Sequence, residues 1–346
     1  MKTIQKLLLT SVLAVFAFAP AQAGEVTMTG SMEIAYTNGL SGANVGNKLG
    51  QENELSVTAS TELDNGVGVA YKQSITGDNA RNDSELVFSD LPTIGGSIAM
   101  TSTGTPIDAI DNVTPTAFEE ANHGATTFTQ VGNNDGTFGI RYKNTIPMTS
   151  IALDAMYFPQ SGAGDAANDE GGSGTVHEFY NSAYEVVLSG AVPMVEGAGF
   201  KVGYASTDAN KALTKDDRNE YAAALSYAYG PISVGYQKTL VDNQLRGVVG
   251  VDWTKNTIYG VAYAVNDNLS VSYQVNESYQ HTAEVAGDVS QAGTQGSGIA
   301  QEAKGISVAY TMGGMKIAVV DNSFDNENYT SGQSKDYTQI VLGVAF

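Results

Sequence analysis

Side chains able to do chemistry are unevenly supplied in this chain of 346 residues: 37 Asp+Glu stand against 17 Lys+Arg, with three His and no Cys. Without a thiol there is no disulfide framework, no thiolate metal ligand and no Cys nucleophile. His123, His177 and His281 fall in segments that read as loops, and none has a nucleophile and an orienting partner in a recognisable motif, so covalent catalysis has no candidate. Carboxylates remain. Asp108, Asp111, Glu119 and Glu120 sit in one segment, about 104–135, whose Pro106, Pro115 and Gly124 shape the backbone. The acidic runs Asp165-Ala166-Ala167-Asn168-Asp169-Glu170 and Asp321-Asn322-Ser323-Phe324-Asp325-Asn326-Glu327 gather oxygens of the kind calcium takes. Both lack the EF-hand spacing with its Gly and terminal Glu, so solvated loops are the favoured reading and no other cofactor is called for. The Gly-rich stretches show no strand-to-helix phosphate cradle. A net charge of −20 repels nucleic acid and removes it as a partner.

The elements that position these residues begin after a leader. Lys2 and Lys6 precede an apolar run from Leu7 to Ala19, and Ala21-Gln22-Ala23 offers small residues at both cleavage-specifying positions. Residues 1–23 therefore read as a secretory signal peptide. The run is short for a retained span of a ~30 Å hydrocarbon core, and it stops at Pro20. Losing the leader removes two lysines and no acid, so 24–346 carries −22. Nothing in that remainder approaches the ~18 consecutive apolar residues of a spanning helix.

From Gly24 onward the dominant signal is period two. Val26, Met28, Met32, Ile34 and Tyr36 alternate with Thr27, Thr29, Ser31, Glu33 and Ala35; Asp64-Asn65-Gly66 then separates two further alternating runs, a strong hairpin signal. Sixteen such runs are expected, at 25–37, 51–63, 67–76, 83–90, 96–103, 136–144, 149–158, 180–192, 199–206, 218–229, 231–240, 252–265, 269–278, 303–312, 315–324 and 336–346. Brief turns alternate with long segments rich in Gly, Asn, Asp and Ser, which describes an up-and-down meander. Such a sheet has open edges unless it closes.

Which face is apolar decides the setting. One set of strand positions is rich in Tyr, Val, Ile and Leu, the other in Gly, Ala, Ser and Thr, and only 16% of the chain is charged. A soluble barrel would expose many charges; apolar outside with polar inside is the membrane arrangement. Sixteen strands of ~10 residues use ~160 positions, and turns and loops fill the rest. Tyr36, Tyr142, Tyr157, Tyr227, Tyr229, Tyr263 and Tyr310 lie near strand ends, where interfacial girdles form. The fold class is thus all-β: a transmembrane antiparallel up-and-down β-barrel of about 16 strands, 24–346 being one domain.

The last run, Tyr337-Thr338-Gln339-Ile340-Val341-Leu342-Gly343-Val344-Ala345-Phe346, alternates and ends on Phe346; the opening Gly24-Glu25-Val26-Thr27-Met28-Thr29-Gly30 sets the same pattern. With the leader and the sixteen runs, these residues resemble Gram-negative general diffusion porins, especially alphaproteobacterial ones. The resemblance covers all of 24–346 in pattern, without the family's Pro-Glu-Phe-Gly-Gly loop signature. It implies a homotrimeric, water-filled channel in the outer membrane, in contact with lipid and lipopolysaccharide, with Phe346 read by the barrel-assembly machinery. It also implies that the third long loop, here 104–135, folds inward and makes the constriction, with Asp108, Asp111, Glu119 and Glu120 lining it and a basic ladder opposite.

By parity the inward bases are Lys72, Arg141 and Lys143, then Lys201 and Lys316; inward acids are more numerous, namely Glu33, Glu54, Glu62, Glu85, Asp154, Glu185 and Glu220. That balance favours cations over anions in a lumen. Outward positions of the first five strands carry few aromatics, so the side bearing Met28, Met32, Ala59 and Met100 is expected to meet neighbouring subunits. The function expected is passive diffusion of ions and small hydrophilic solutes, with a substrate-selective porin or a structural or adhesive barrel as the alternative, and no enzymatic activity.

Overall fold

A computed structural model describes residues 24–39, 46–77, 81–161, 180–209, 217–243, 250–283 and 298–346. The leader at 1–23, the acidic run at 165–170 and His177 lie outside them. The alternating runs form sixteen strands: β1 (Glu25–Asn38), β2 (Leu49–Glu62), β3 (Gly68–Thr76), β4 (Arg81–Ser89), β5 (Ser97–Thr101), β6 (Gly139–Thr145), β7 (Ala152–Phe158), β8 (Tyr180–Ala191), β9 (Ala198–Ala209), β10 (Arg218–Tyr229), β11 (Ile232–Asp242), β12 (Gly250–Ala264), β13 (Leu269–Ala283), β14 (Ala300–Met312), β15 (Met315–Asp325) and β16 (Ser334–Ala345). Each pairs with its sequence neighbours, and β1 also pairs antiparallel with β16, so the sheet closes into a barrel without a crossover. Closure is what lets a sheet cross a membrane, because every backbone donor and acceptor at membrane depth finds a partner across the ladder.

Side-chain parity sorts the two faces as the alternation requires. On β16, Ile340, Leu342 and Val344 are exposed outward while Val341 is buried inward. On β11 and β12, Tyr236 stands opposite Tyr259 on the outer face and Gly235 opposite Gly260 on the inner one. A slip of one residue would exchange these faces, so the pattern fixes the register.

Turn chemistry closes the hairpins at one end. Asn65 Oδ1 accepts from Val67 N at 3.2 Å, and Gly66 sits at φ 81° between β2 and β3. Gly313, at φ 60°, begins the two-residue link from β14 to β15. Left-handed backbone of this kind is where glycine is nearly free of strain. The 102–138 segment and the link from β15 to β16 leave the opposite end. Short turns mark the periplasmic side of such barrels and long loops the outside.

The largest difference from the sequence reading is at the third long connection. β5 and β6 are shorter than expected, and the segment between them runs from 102 to 138, with one 3-10 turn at Asp108–Ile110. Ser102 N still bonds Ser84 O at 3.2 Å, after which the chain leaves the wall.

Candidate functional site: the segment inside the barrel

The 102–138 segment does not project from the rim; inward-facing side chains on successive strands hold its backbone. On the outgoing leg, Ile107 N donates to Glu185 Oε2 of β8 (3.0 Å), Val113 N to Gln237 Oε1 of β11 (3.1 Å), Ala117 N to Ser272 Oγ of β13 (2.9 Å) and Phe118 N to Ser307 Oγ of β14 (3.1 Å). Asn322 Nδ2 of β15 donates to Glu120 O and His123 O, both at 2.9 Å. The segment turns at His123, whose Nε2 lies 3.1 Å from both Gln339 Oε1 and Tyr337 Oη of β16. Gly124 follows at φ 86°, against the Tyr337 ring, where a Cβ would come within 2.4 Å of ring carbon. On the returning leg, Gln301 Nε2 of β14 donates to Thr127 O (3.0 Å), Asn256 Nδ2 of β12 to Thr129 O (2.8 Å), and Gly132 N donates to Glu220 Oε2 of β10 (2.6 Å). Asn134 Nδ2 then reaches Glu185 Oε1 at 3.1 Å, so one carboxylate holds both legs.

Apolar contact completes the seat. Ile107, Ile110 and Val131 pack on Val187, Ala205, Ala222, Ala224 and Val241, and farther along Phe118, Ala121 and Ala125 pack with Ala303, Val320, Phe324 and Tyr337. The inner wall is therefore not uniformly polar, as the sequence reading had it: where the segment lies, small and apolar residues replace solvated ones. Glycines let it approach. A Cβ at Gly235 would fall 2.5 Å from Pro115 Cδ, at Gly203 2.8 Å from Ile110 Cδ1, and at Gly305 2.9 Å from Ala121 Cα. Such a contact forces backbone or packed side chains to move.

Two of the inward carboxylates expected to face the lumen do not. Glu185 and Glu220 retain 0% and 3% of their exposure, covered by the segment they anchor, with Arg218 Nη2 also 2.8 Å from Glu220 Oε1. They position backbone and contribute little to the field of an open lumen. The seat extends along β8 to β16 and its root also overlies β6 and β7, which leaves the inner wall of β1 to β4 open.

On that open wall stand Glu33, Glu54, Glu62, Glu85 and Lys72, the last in register with Glu85 and Thr58. Arg141 of β6 is not a free rung of a ladder. Its Nε and Nη2 make a bidentate pair with Asp154 at 2.8 and 2.6 Å, and Nη1 donates to Gly104 O at 3.0 Å, tying down the root of the segment. Arg141 and Lys143 thus lie beside that root rather than opposite it. Lys143 is exposed and makes no ion pair among the described residues. Lys316 Nζ lies 3.0 Å from Glu33 Oε1 and 4.6 Å from the centre of the Phe118 ring.

All four expected loop carboxylates lie on the segment. Asp108 is raised to about 6, first by burial, then by Asp135 and Glu220, with Arg141 opposing. Asp111 is raised to about 8 by burial, then by Asp108, Glu120 and Asp135. Burial also raises Glu120, with Glu119 adding to it. Glu119 itself lies 3.5 Å from His123 Nδ1. Asp135, unnamed in the sequence reading, thus joins Asp108, Asp111 and Glu120 in one mutually repelling group.

Among the described residues no group of three or more His, Cys, Asp or Glu could hold a metal ion. The run from Asp321 to Glu327 does not converge: Asp321 accepts from Thr338 Oγ1 at 2.7 Å, Asn322 serves the segment from the inner face, and Glu327 takes Thr126 N at 3.1 Å and Lys335 Nζ at 3.3 Å. His281 stacks on Trp253 with ring centres 5.6 Å apart.

A family model described as Gram-negative porin matches residues 9–297. Among curated proteins no sequence matches. Among solved structures the chain is similar to the outer membrane channel DcaP of Acinetobacter baumannii, at 11% identity and a TM-score of 0.64, covering 95% of this chain and 99% of that one. It is similar also to OmpT, an outer membrane protein of Vibrio cholerae, at 12% and 0.63, covering 94% and 98%. The anion-selective porin from Comamonas acidovorans gives 13% and 0.59, covering 93% and 100%. At such identities these likenesses concern the fold alone.

Proposed function

Because the chain belongs to the Gram-negative porin family, whose members are outer-membrane diffusion channels and not enzymes, we propose that it passes ions and small hydrophilic solutes with a preference for cations. The path runs between the 102–138 segment, which forms the constriction, and the inner wall of β1 to β4. One observation carries the preference: the segment lodged inside the barrel carries Asp108, Asp111, Glu119, Glu120 and Asp135 and no Lys or Arg. The wall across from them offers Glu54, Glu62 and Glu85, with Glu33 3.0 Å from Lys316 Nζ, against Lys72, which makes no ion pair among the described residues. Fixed negative charge of this kind raises the local concentration of cations and lowers that of anions without any binding step. Planar-bilayer recordings with unequal KCl on the two sides test it. A reversal potential of the sign for K⁺ over Cl⁻ is expected; the opposite sign would overturn the reading.

The same proposal takes residues 1–23 as an export signal and Phe346 as part of the signal read during barrel assembly. It takes the protein to be a homotrimer embedded in lipid and lipopolysaccharide, with the outer face of β1 to β5 at subunit contacts. Val26 and Met28, each 65% exposed, support that choice of face, because β1 has no partner beyond Gly30 on the β16 side. Single-channel current rising in steps of three tests channel and trimer together, and solitary steps would argue against the trimer.

A further inference from the structure

Beneath the outgoing leg, between Pro106 and Ala109 above and the inner wall of β6 to β9, lies a cavity of about 500 Å³. One register row crosses that wall as Thr145, Ala152, Ser189 and Lys201, and the next as Lys143, Asp154, Val187 and Gly203. Lys143, Lys201, Thr145, Ser189 and Asp154 all line the cavity. Thr145 ends β6 and Ala152 begins β7, so the cavity stands at the short-turn end, the periplasmic side of such a barrel.

Its charge differs in sign from that of the rest of the lumen. Asp154, the carboxylate in the lining, is matched by Arg141 through two hydrogen bonds at 2.8 and 2.6 Å. Lys143 makes no ion pair among the described residues, and Lys201 spends one proton of its ammonium on Ala109 O at 3.1 Å. Asp108, on the same turn of the segment, lies against the returning leg, its Oδ1 2.8 Å from where a Gly132 Cβ would stand, and is not in the lining. Two ammonium groups with unspent donors and two hydroxyls therefore face one cleft that opens to the lumen. That donor set suits an oxyanion, whose lone pairs take charge-assisted hydrogen bonds.

We propose that this cavity is a subsite for a small solute bearing a phosphate or carboxylate group, held by Lys143 and Lys201 with Thr145 and Ser189, at the periplasmic mouth of the channel. It gives anionic and zwitterionic solutes a resting place past the acidic segment. It does not depend on the cation preference, since the lysines and the loop carboxylates face different spaces.

Single-channel K⁺ current in bilayers tests it, with potassium phosphate replacing chloride at constant ionic strength on the short-turn side. Phosphate is expected to reduce or interrupt the current in a saturable manner. Lys143→Ala and Lys143→Gln, which touch no segment backbone, are expected to raise the half-effective phosphate concentration about tenfold, each read against its own current in KCl. Acetate in place of phosphate distinguishes the two headgroups, and saturable reduction by either supports the subsite. No effect of either anion on the unmodified channel, or an equal effect on the Lys143 variants, would overturn it. The reversal potential in the same recordings reads the cation preference separately.

Discussion

Gly30 of β1 and Phe346 exchange both backbone hydrogen bonds, Gly30 N to Phe346 O at 2.8 Å and Phe346 N to Gly30 O at 2.9 Å, and the phenyl ring lies over the glycine. A Cβ there would fall 2.6 Å from Phe346 Cε2. The last rung of barrel closure thus joins a residue without a side chain to one with a large ring, and the ring covers otherwise bare backbone. Gly30→Val is expected to displace the ring and lower stability by about 1 kcal/mol, near the small end for overpacking because the ring can swing outward. Phe346→Ala is expected to lower the yield of assembled barrel more than its stability. Heat-modified mobility of the purified protein and outer-membrane yield check the two; equal losses in both variants would deny Phe346 a separate part in assembly.

Neutralising the segment, as Asp108→Asn, Asp111→Asn, Glu119→Gln and Glu120→Gln together, is expected to reduce the K⁺/Cl⁻ permeability ratio by roughly fivefold or more. Reversal potentials measure it. An unchanged ratio would mean that the segment does not line the path.

Acid should do part of the same. With Asp111 raised to about 8 and Asp108 to about 6, negative charge appears on the segment as pH rises through those values, so cation preference should climb between about pH 5 and 9. The linked effect on stability has the opposite sense. Folded values above the unfolded 3.8 favour the seated segment fully at low pH, and that contribution is lost as pH rises through about 6 and then about 8. A preference that is flat across this range, recorded at fixed KCl, would count against the group.

Glu185 is a positioning residue, and its loss should loosen both legs. Glu185→Ala strands Ile107 N and Asn134 Nδ2 in a buried place, at a cost of roughly 2–5 kcal/mol. Greater open-channel noise and a larger mean conductance are expected, with a lower melting temperature. A quiet channel of unchanged conductance would show that the other anchors suffice.

The barrel was legible because period two is written in every strand: a run such as Ile340-Val341-Leu342 must put alternate residues on opposite faces, and lipid outside makes that choice costly to break. The shortening of β5 and β6 was not, since Thr137 and Phe138 alternate as well as any strand residue, yet pairing with β5 begins only at Gly139. Burial of Glu185 and Glu220 escaped the same reasoning. Parity tells which way a side chain points, but not what lies on top of it. A usable signal was present in the inward Gln237, Asn256, Gln274, Gln301 and Asn322: amides are costly to leave unsatisfied on a covered wall, and they cluster on the strands that carry the segment.

Past Ser102, whose N bonds Ser84 O, the seats described for the inner segment come later in the chain than the segment itself. Its bonds to β8 through β16 span from 51 residues, Asn134 to Glu185, to 216 residues, His123 to Gln339. Contacts of such high sequence separation form late, after the entropy of closing long loops has been met. Residues 102–138 must therefore wait, unseated, until β8 to β16 have been made and paired. A barrel interrupted before its last strands would be empty as well as open-edged, and it acquires its inner segment as the final consequence of folding rather than as a step along the way.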